Sequence, residues 1–149
     1  MHHSKVKPTW VTPHPNGKKL YIAGNGSDEI FVVDLESFSV EDKLSSGKGP
    51  YNLAISPDGK ILLATLKSEG AVSIWSLKNN KLLKKIKNTP NIPHGVVVSP
   101  DKKYAFVSVE GVGGEPGKVD VINLETLSLQ SSIDVGKQAG GIAFWKIEQ

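Results

Sequence analysis

Residue types that commonly carry out chemistry are few in this chain of 149 residues. The absence of cysteine excludes disulfides, thiolate metal sites and thiol nucleophiles. Among the four histidines, His94 is the main candidate, because a neutral imidazole is a common metal ligand and general base. Glu110 and Glu115 flank a glycine-rich stretch and could bind a cation or act as an acid–base pair, although no spacing rule supports either use. No G-x-S-x-G motif is present, and no cofactor is predicted.

The charge balance narrows the classes of partner. The formal charge of +3 comes from 18 basic and 15 acidic residues, and every basic residue is a lysine. Base-specific contacts to nucleic acid favour the planar fork of arginine, so its absence argues against sequence-specific binding and leaves only non-specific phosphate contact. The densest basic segment holds Lys81, Lys84, Lys85 and Lys87, a pattern typical of an edge strand protected against aggregation. Apolar runs are too short for a membrane span, and Met1–Lys5 lacks the apolar stretch of a secretory signal.

A turn signature recurs along the chain. Three four-residue segments share a proline followed by Asn or Asp, at spacings of 42 and 43 residues: His14–Gly17, Ser56–Gly59 and Ser99–Lys102. Proline restricts φ, the Asn or Asp side chain bonds its own backbone, and glycine accepts positive φ, so each copy predicts a tight turn. Lys102 replaces the glycine in the third copy, which predicts strain or a different geometry there.

The segments around the turns predict the fold. Each repeat contains four short segments that alternate in the manner of β-strands, here called A to D, and no segment has a convincing helical period. Repeats of 40–45 residues with four strands are typical of propeller blades. We therefore predict an all-β protein: a β-propeller of four-stranded antiparallel blades, with about three complete blades plus one extra strand. A β-sandwich is less consistent, because it does not repeat turn for turn.

The residue pattern of the repeat resembles that of a known family. Matching elements from different copies together resemble the YVTN-type β-propeller repeat of bacteria and archaea. In the order of the repeat these elements are Pro50, Ser56–Lys60, Ile30–Asp34 or Val119–Asn123, and Ile133–Gly136. Leu20, Tyr21 and Ile22 match the Leu-Tyr-Val element of that family. The resemblance covers about residues 8–145 and implies a propeller fold, with a periplasmic or cell-surface location. It leaves function open, because related propellers include binding proteins, sugar-lactone hydrolases and respiratory reductase domains.

The domain prediction follows the repeat. Residues 1–7 are expected to be disordered or a linker, and residues 139–149 to be the inner strand of a further blade or a ring-closing strand; the blades are assigned to 8–49, 50–92 and 93–138. Closed propellers need roughly four to eight blades, so we expect the C-terminal part of a larger propeller. The alternatives are a chain that completes a ring with a second copy and an open array. The unpaired terminal blades would then expose apolar residues and permit self-association, and the residues expected there are Trp10, Ile22, Val32, Phe106 and Ile122.

Antiparallel strand order places the connections between blades and the B-to-C loops on one face. The candidate binding residues on that face are Asn25, Tyr51, Lys67, His94, Glu110 and Glu115. The long loop from 110 to 118 contains glycines that do not lie between a strand and a helix, which excludes a phosphate-binding loop or dinucleotide fingerprint. His14 belongs to a turn on the opposite face.

The sequence favours a non-catalytic binding or scaffold module that contacts a protein or small ligand through this face. One alternative is a lactonase-like hydrolase, which would need clusters of histidine or carboxylate from several blades. Another is a copper or redox-associated domain, because residues 93–101 resemble inner strands of nitrous oxide reductase-type propellers, in which histidines hold copper. The matching positions here are Thr9, Tyr51 and Gly140, so no metal site is predicted and His94 is a weak candidate ligand.

Overall fold

The computed structural model describes residues 6–88 and 92–145, and these form an all-β arrangement of twelve strands in three four-stranded antiparallel sheets. The first sheet contains β1 (Pro8–Pro13), β2 (Lys19–Gly24), β3 (Glu29–Asp34) and β4 (Ser39–Ser45). The second contains β5 (Pro50–Ile55), β6 (Ile61–Leu66), β7 (Ala71–Ser76) and β8 (Lys81–Lys87). The third contains β9 (Ile92–Val98), β10 (Tyr104–Glu110), β11 (Lys118–Asn123) and β12 (Ser128–Asp134).

Strands follow chain order in every sheet, as the repeat predicts for propeller blades. We refer to the three sheets as blades 1, 2 and 3. Residues 1–5, 89–91 and 146–149, which belong to the predicted N-terminal linker, the end of blade 2 and the predicted last strand, lie outside the described residues. Within 6–88 and 92–145 there is no helix long and apolar enough to cross a membrane.

The recurring turns join the first two strands of each blade. In blade 2 the Asp58 carboxylate accepts hydrogen bonds from Ser56 Oγ at 2.7 Å and from the Lys60 amide at 3.2 Å. Gly59 has φ +71°, and Lys102 adopts φ +64° at the matching position. The third turn therefore keeps the geometry of the others, and Lys102 carries the strain of a left-handed backbone that glycine avoids.

A second kind of turn is closed by Asp34 and Asn123. Asp34 Oδ1 accepts from the amides of Glu36 and Ser37, and Asn123 Oδ1 accepts from those of Glu125 and Thr126. Both residues cap the turn that leads into the outermost strand, as Asp and Asn side chains commonly do. That strand carries an irregularity at the same place in each blade, opposite the Val32–Val33, Ile74–Trp75 and Val121–Ile122 steps. Bulges of this kind twist an exposed edge and limit its pairing with other chains.

The core consists of two apolar layers, each between neighbouring blades. The layer between blades 1 and 2 is built around Ile30, Val32, Leu62 and Trp75. The layer between blades 2 and 3 is built around Leu63, Ile74, Val107 and Ile122. Side chains alternate along a strand, so both faces of blade 2 are covered while blades 1 and 3 each have one covered face.

The expectation that Val32 and Ile122 lie on bare outer faces is wrong. Both are fully buried, Val32 against blade 2 and Ile122 against the other side of blade 2. The physical reason is that alternation identifies two faces of a strand without showing which one has a neighbour. Ile22 and Phe106 are half-buried on the uncovered faces, and Trp10 is 47% exposed.

Hydrogen bonds from one blade to the inner strand of the next recur along the chain. Thr9 Oγ1 donates to the Tyr51 carbonyl at 2.8 Å, and Thr65 Oγ1 donates to the His94 carbonyl at 2.9 Å. Ser108 Oγ likewise donates to the Gly140 carbonyl, although residues 139–145 form no strand. The segment 139–145 therefore runs beside blade 3 as β5 runs beside blade 1 and β9 beside blade 2.

A buried polar contact also links blades 2 and 3. Asp120, which is fully buried in β11, accepts hydrogen bonds from Asn88 Nδ2 at 2.7 Å and from Ser132 Oγ at 2.6 Å. Asn88 follows β8 and is 1% exposed. Buried carboxylates need such donors, because desolvation without them is costly. This contact therefore fixes the end of β8 against blade 3.

Candidate functional site

Tyr51 and His94 lie at matching positions near the start of β5 and β9, each directly after a proline. The ring centroids of Tyr51 and His94 are 4.5 Å apart, with an angle of 58° between the ring planes. The rings meet because β5 and β9 are neighbouring inner strands. The Thr65 hydroxyl of blade 2 donates to the backbone carbonyl of His94 and holds β9 beside blade 2. The inner strands of blades 2 and 3 thus bring one pair of rings into contact at this end of the molecule.

Lys67 and Glu110 reach the same place from the ends of the second strands. Lys67 follows β6, where its amide donates to the Gly49 carbonyl at 2.9 Å, and Glu110 is the last residue of β10, paired with Ile92 of β9. Strands β6 and β10 run antiparallel to β5 and β9, so their last residues lie beside the first residues of the inner strands.

The four side chains form a connected group, which we call the mouth cluster: Tyr51, Lys67, His94 and Glu110. Lys67 Nζ lies 4.6 Å from the centroid of the Tyr51 ring and 3.5 Å from Glu110 Oε2. Glu110 Oε1 lies 3.4 Å from His94 Nε2. The side chains of Lys67, His94 and Glu110 are 30%, 23% and 27% exposed, so the cluster is supported by the fold and still open to a ligand.

Two predicted residues do not join this group. The Asn25 amide donates to the Lys7 carbonyl in the β2–β3 turn of blade 1, and Glu115 is exposed in the long loop, where its amide donates to the Val112 carbonyl. Within residues 6–88 and 92–145, no hydrogen bond, ion pair or ring contact connects either of them to the mouth cluster. Both lie in the B-to-C loops expected on this face.

His14 lies at the other end of the blades. Its Nε2 is 3.0 Å from the Gly59 carbonyl in the neighbouring turn, and its Nδ1 accepts from the Asn16 amide at 3.2 Å. The Nε2 contact joins the turns of blades 1 and 2, and the Nδ1 bond lies within the turn of blade 1 itself. This placement agrees with the assignment of His14 to the opposite face.

The copper hypothesis depends on how many metal ligands the mouth cluster offers. His94 and Glu110 are the two potential metal ligands in the mouth cluster, and a tetrahedral or copper site needs three or four. Within the described parts of the chain, no three His, Asp or Glu side chains lie close enough together to hold a metal ion.

Sequence reasoning missed an ionic network beside the mouth cluster. Lys48 Nζ contacts Asp28 Oδ2 at 2.8 Å, while the Lys48 amide donates to Glu69 Oε2 at 2.9 Å. Glu69 in turn contacts Lys85 Nζ at 2.8 Å. The available signal was the acidic residue in each of the first two B-to-C loops, Asp28 and Glu69. Their partners, Lys48 and Lys85, lie in another loop and in a strand, and the sequence does not show that these segments are neighbours.

These contacts change the acidity of both carboxyl groups. The hydrogen bond from Lys85 is the main cause that lowers the pKa of Glu69, with a further contribution from the Lys48 amide. For Asp28, the hydrogen bond from Lys48 lowers the pKa most, followed by that from the Gly49 amide. Both carboxylates therefore favour the folded state when they are ionised.

We expect Glu69→Gln to lower the free energy of unfolding at pH 7 by about 0.5–1 kcal/mol, the usual value of a partly exposed ion pair. The pKa of Glu69 is lower in the folded state than in the unfolded chain, so its contribution is present above the unfolded value of about 4.3 and is lost as pH falls through the folded value. The difference between variant and wild type should therefore shrink between pH 7 and pH 3. Urea unfolding at both pH values measures it.

The matched control is Glu125→Gln, because Glu125 is exposed on a turn far from this network in sequence. It should leave the free energy of unfolding unchanged at both pH values. A Glu69→Gln deficit that stays constant from pH 7 to pH 3 would show that the carboxylate charge contributes nothing.

The fold and the open cluster at one end of the blades define the class of protein as a β-propeller, of which the described residues form three blades. A family model described as "Lactonase, 7-bladed beta-propeller" matches residues 3–110, and the chain therefore belongs to that family.

The chain is also similar to individual proteins and to one solved structure. The chain is 29% identical over 120 residues to "Protein transport protein SEC31" of Yarrowia lipolytica, covering 77% of this chain and 10% of that protein. It is 29% identical over 105 residues to "TSET complex member tstE" of Dictyostelium discoideum, covering 63% of this chain and 8% of that protein. The solved structure of hydrazine synthase from Kuenenia stuttgartiensis superimposes with a TM-score of 0.84 at 24% identity, covering 93% of this chain and 39% of that one. The chain thus spans well under half the length of each, and the structural similarity shows the fold alone.

Proposed function

We propose that this chain is part of a YVTN-type β-propeller that acts as a binding module and contacts its partner through the mouth cluster. The observation that supports the proposal is the convergence of Tyr51, Lys67, His94 and Glu110 from two blades, in which each side chain contacts two of the others at 3.4–4.6 Å. Tyrosine is among the residues most often found as interface anchors, and polar and charged side chains commonly form the rim around them. The proposal assigns no catalytic step to them.

The partner is taken to be a protein. Two relatives are named as a protein-transport protein and as a member of a complex, which supports a role in assembly. The cluster lies where β5 and β9 begin, and its charged side chains are partly exposed.

The assignment of residues 139–145 to the inner strand of a further blade is part of the same proposal. Its support is the Ser108–Gly140 hydrogen bond, which matches the Thr65–His94 bond of the preceding pair of blades. Phe144 also lies near Phe106 on the uncovered face of blade 3, with ring centroids 6.3 Å apart. A complete ring would place further blades on both outer faces and would enclose the mouth.

Alanine at both Tyr51 and His94 should reduce partner recovery about tenfold or more, because loss of a central aromatic anchor costs more than about 1.4 kcal/mol of binding free energy. The measurement is quantitative affinity capture from cells of the source organism, with a photo-crosslinking residue introduced at Ser68, beside the cluster. Circular dichroism establishes that the variant is folded.

The control is Lys60→Ala, because Lys60 lies in a turn at the opposite end and its side chain is 78% exposed. It should give the recovery of the wild type. Equal recovery with the Tyr51→Ala/His94→Ala variant would contradict the proposal, since the partner would then bind elsewhere or not at all.

A lactonase-like hydrolase is the second candidate, and the family match favours it. The His94 Nε2–Glu110 Oε1 distance of 3.4 Å is near that of a carboxylate that orients an imidazole for general-base catalysis. Titration of acid released from γ-butyrolactone and δ-valerolactone separates the two functions. Hydrolysis that falls a hundredfold or more in His94→Ala would establish the hydrolase and displace the binding role.

A further inference from the structure

We propose that Tyr51 and Glu110 form a seat for a primary ammonium group, which Lys67 fills in the free protein and a ligand's alkylammonium fills in the complex. The inference rests on the proposed binding role of the mouth cluster and names the chemistry of its ligand. Lys67 Nζ lies 4.6 Å from the Tyr51 ring centroid and 3.5 Å from Glu110 Oε2. An aromatic face attracts an ammonium ion through the ring quadrupole, and a carboxylate accepts its hydrogen bonds.

The seat is held by the fold on three sides. Tyr51 belongs to β5 and packs against the His94 ring at 4.5 Å. Glu110 ends β10, where its backbone pairs with Ile92, and its second oxygen lies 3.4 Å from His94 Nε2. His94 thus contacts both walls, so the ring and the carboxylate keep their positions when the ammonium between them changes.

The occupant is held much less firmly. Lys67 reaches the seat through a flexible four-carbon stem, and its side chain remains 30% exposed. Partly exposed ion pairs contribute little, because solvent screens them and ordering the long side chain costs entropy. The Lys67 backbone, by contrast, is fixed by its hydrogen bond to the Gly49 carbonyl at 2.9 Å. The ammonium group can therefore move into solvent without moving the loop.

Charge favours a cation over an anion as the ligand. When the Lys67 ammonium moves into solvent, the Glu110 carboxylate faces the position it occupied, and this carboxylate would repel an incoming anion and attract an ammonium group. Its oxygens accept hydrogen bonds, so a primary ammonium with three N–H donors fits better than a quaternary one. Either a lysine side chain of a protein or a small amine would supply this group.

The test uses the Tyr51 and His94 ring signals of isotope-labelled protein in NMR titrations at constant ionic strength. n-Propylammonium chloride should bind Lys67→Ala at least ten times more tightly than wild type, because the internal competitor is gone. Lys67→Gln, which keeps most of the side-chain stem, should behave in the same way. Tetramethylammonium chloride should bind at least ten times more weakly than n-propylammonium, and sodium propionate should not shift these rings.

Two variants serve as controls. Lys67→Ala/Glu110→Gln should lose the n-propylammonium response, since the carboxylate is removed, and Lys60→Ala should match wild type. Equal affinities of wild type and both Lys67 variants, or a stronger response to propionate, would overturn the proposal. N-acetyl-lysine amide binding more tightly than n-propylammonium supports the seat with a protein lysine as its ligand; equal binding supports it with a free amine.

The outcomes separate this inference from the binding role on which it rests. A positive amine titration with no loss of partner recovery in Tyr51→Ala/His94→Ala would establish the seat and refute the mouth as the partner surface. Loss of partner recovery without an amine response would do the reverse.

Discussion

Replacing Ile74 with alanine is expected to lower the free energy of unfolding by about 2–5 kcal/mol. Ile74 lies in β7, is fully buried, and belongs to the apolar layer between blades 2 and 3. Truncation removes buried methyl and methylene groups and leaves a cavity that the sheets close only in part, because each blade is rigid through its hydrogen bonds. The loss is large relative to the total stability of about 5–15 kcal/mol of a typical domain.

Chemical denaturation followed by tryptophan fluorescence measures the change, with Trp75 as a reporter inside the neighbouring layer. Leu82→Ala is the matched control, because Leu82 lies on the outermost strand of the same blade and is 43% exposed. Its loss should stay below about 1 kcal/mol, since an exposed side chain has little burial to lose. Equal losses in the two variants would mean that blade 3 does not pack on blade 2 as described.

The second large effect is expected at Asn88. Asn88→Ala should cost about 1–3 kcal/mol, because it removes the donor to Asp120 Oδ2 and leaves part of a buried carboxylate unsatisfied. Asn88→Asp should cost more, since it places a second carboxylate where the amide nitrogen now lies 2.7 Å from Asp120. The order of stability is therefore wild type, then Asn88→Ala, then Asn88→Asp, as measured by urea unfolding at pH 7.

Gln130→Ala provides the comparison. Gln130 accepts a hydrogen bond from Asn123 Nδ2 at 3.2 Å on the exposed surface, where water replaces a lost partner. Its free energy of unfolding should match the wild type within about 0.5 kcal/mol. If Asn88→Asp were as stable as Asn88→Ala, the carboxylate of Asp120 would not face position 88, and the link between blades 2 and 3 would have to lie elsewhere.

Residue patterns predicted part of the candidate site. Four of the six predicted residues come together, because the repeat places Tyr51 and His94 at matching positions and antiparallel order places Lys67 and Glu110 beside them. The contacts among them depend on the angle between blades 2 and 3, which no local pattern encodes. Whether the cluster binds a partner stays a prediction, as do the roles of Asn25 and Glu115.

Burial was less predictable than strand order. Val32 and Ile122 have the apolar, alternating neighbours expected for a sheet face, yet both are fully covered by blade 2. Lys102 replaces the glycine of the turn signature, but the turn keeps its geometry because the Ser99 hydroxyl and the Lys103 amide both donate to Asp101. Ser56 and Lys60 make the equivalent hydrogen bonds in the preceding turn. Hydrogen bonds within the turn thus outweigh the preference of one residue.

The sequence by itself determined the all-β class, the four strands of each blade and the turns between them, because these depend on residues close together in the chain. Alternating apolar residues indicate the strands, and proline followed by Asn or Asp, with a residue that adopts positive φ, indicates the turns. The tertiary structure alone decided which face of each blade is covered, that Asn88 bonds Asp120, and that Lys67 lies over Tyr51 against Glu110. These features join residues many positions apart in sequence, and their distances are set by how whole sheets pack against one another.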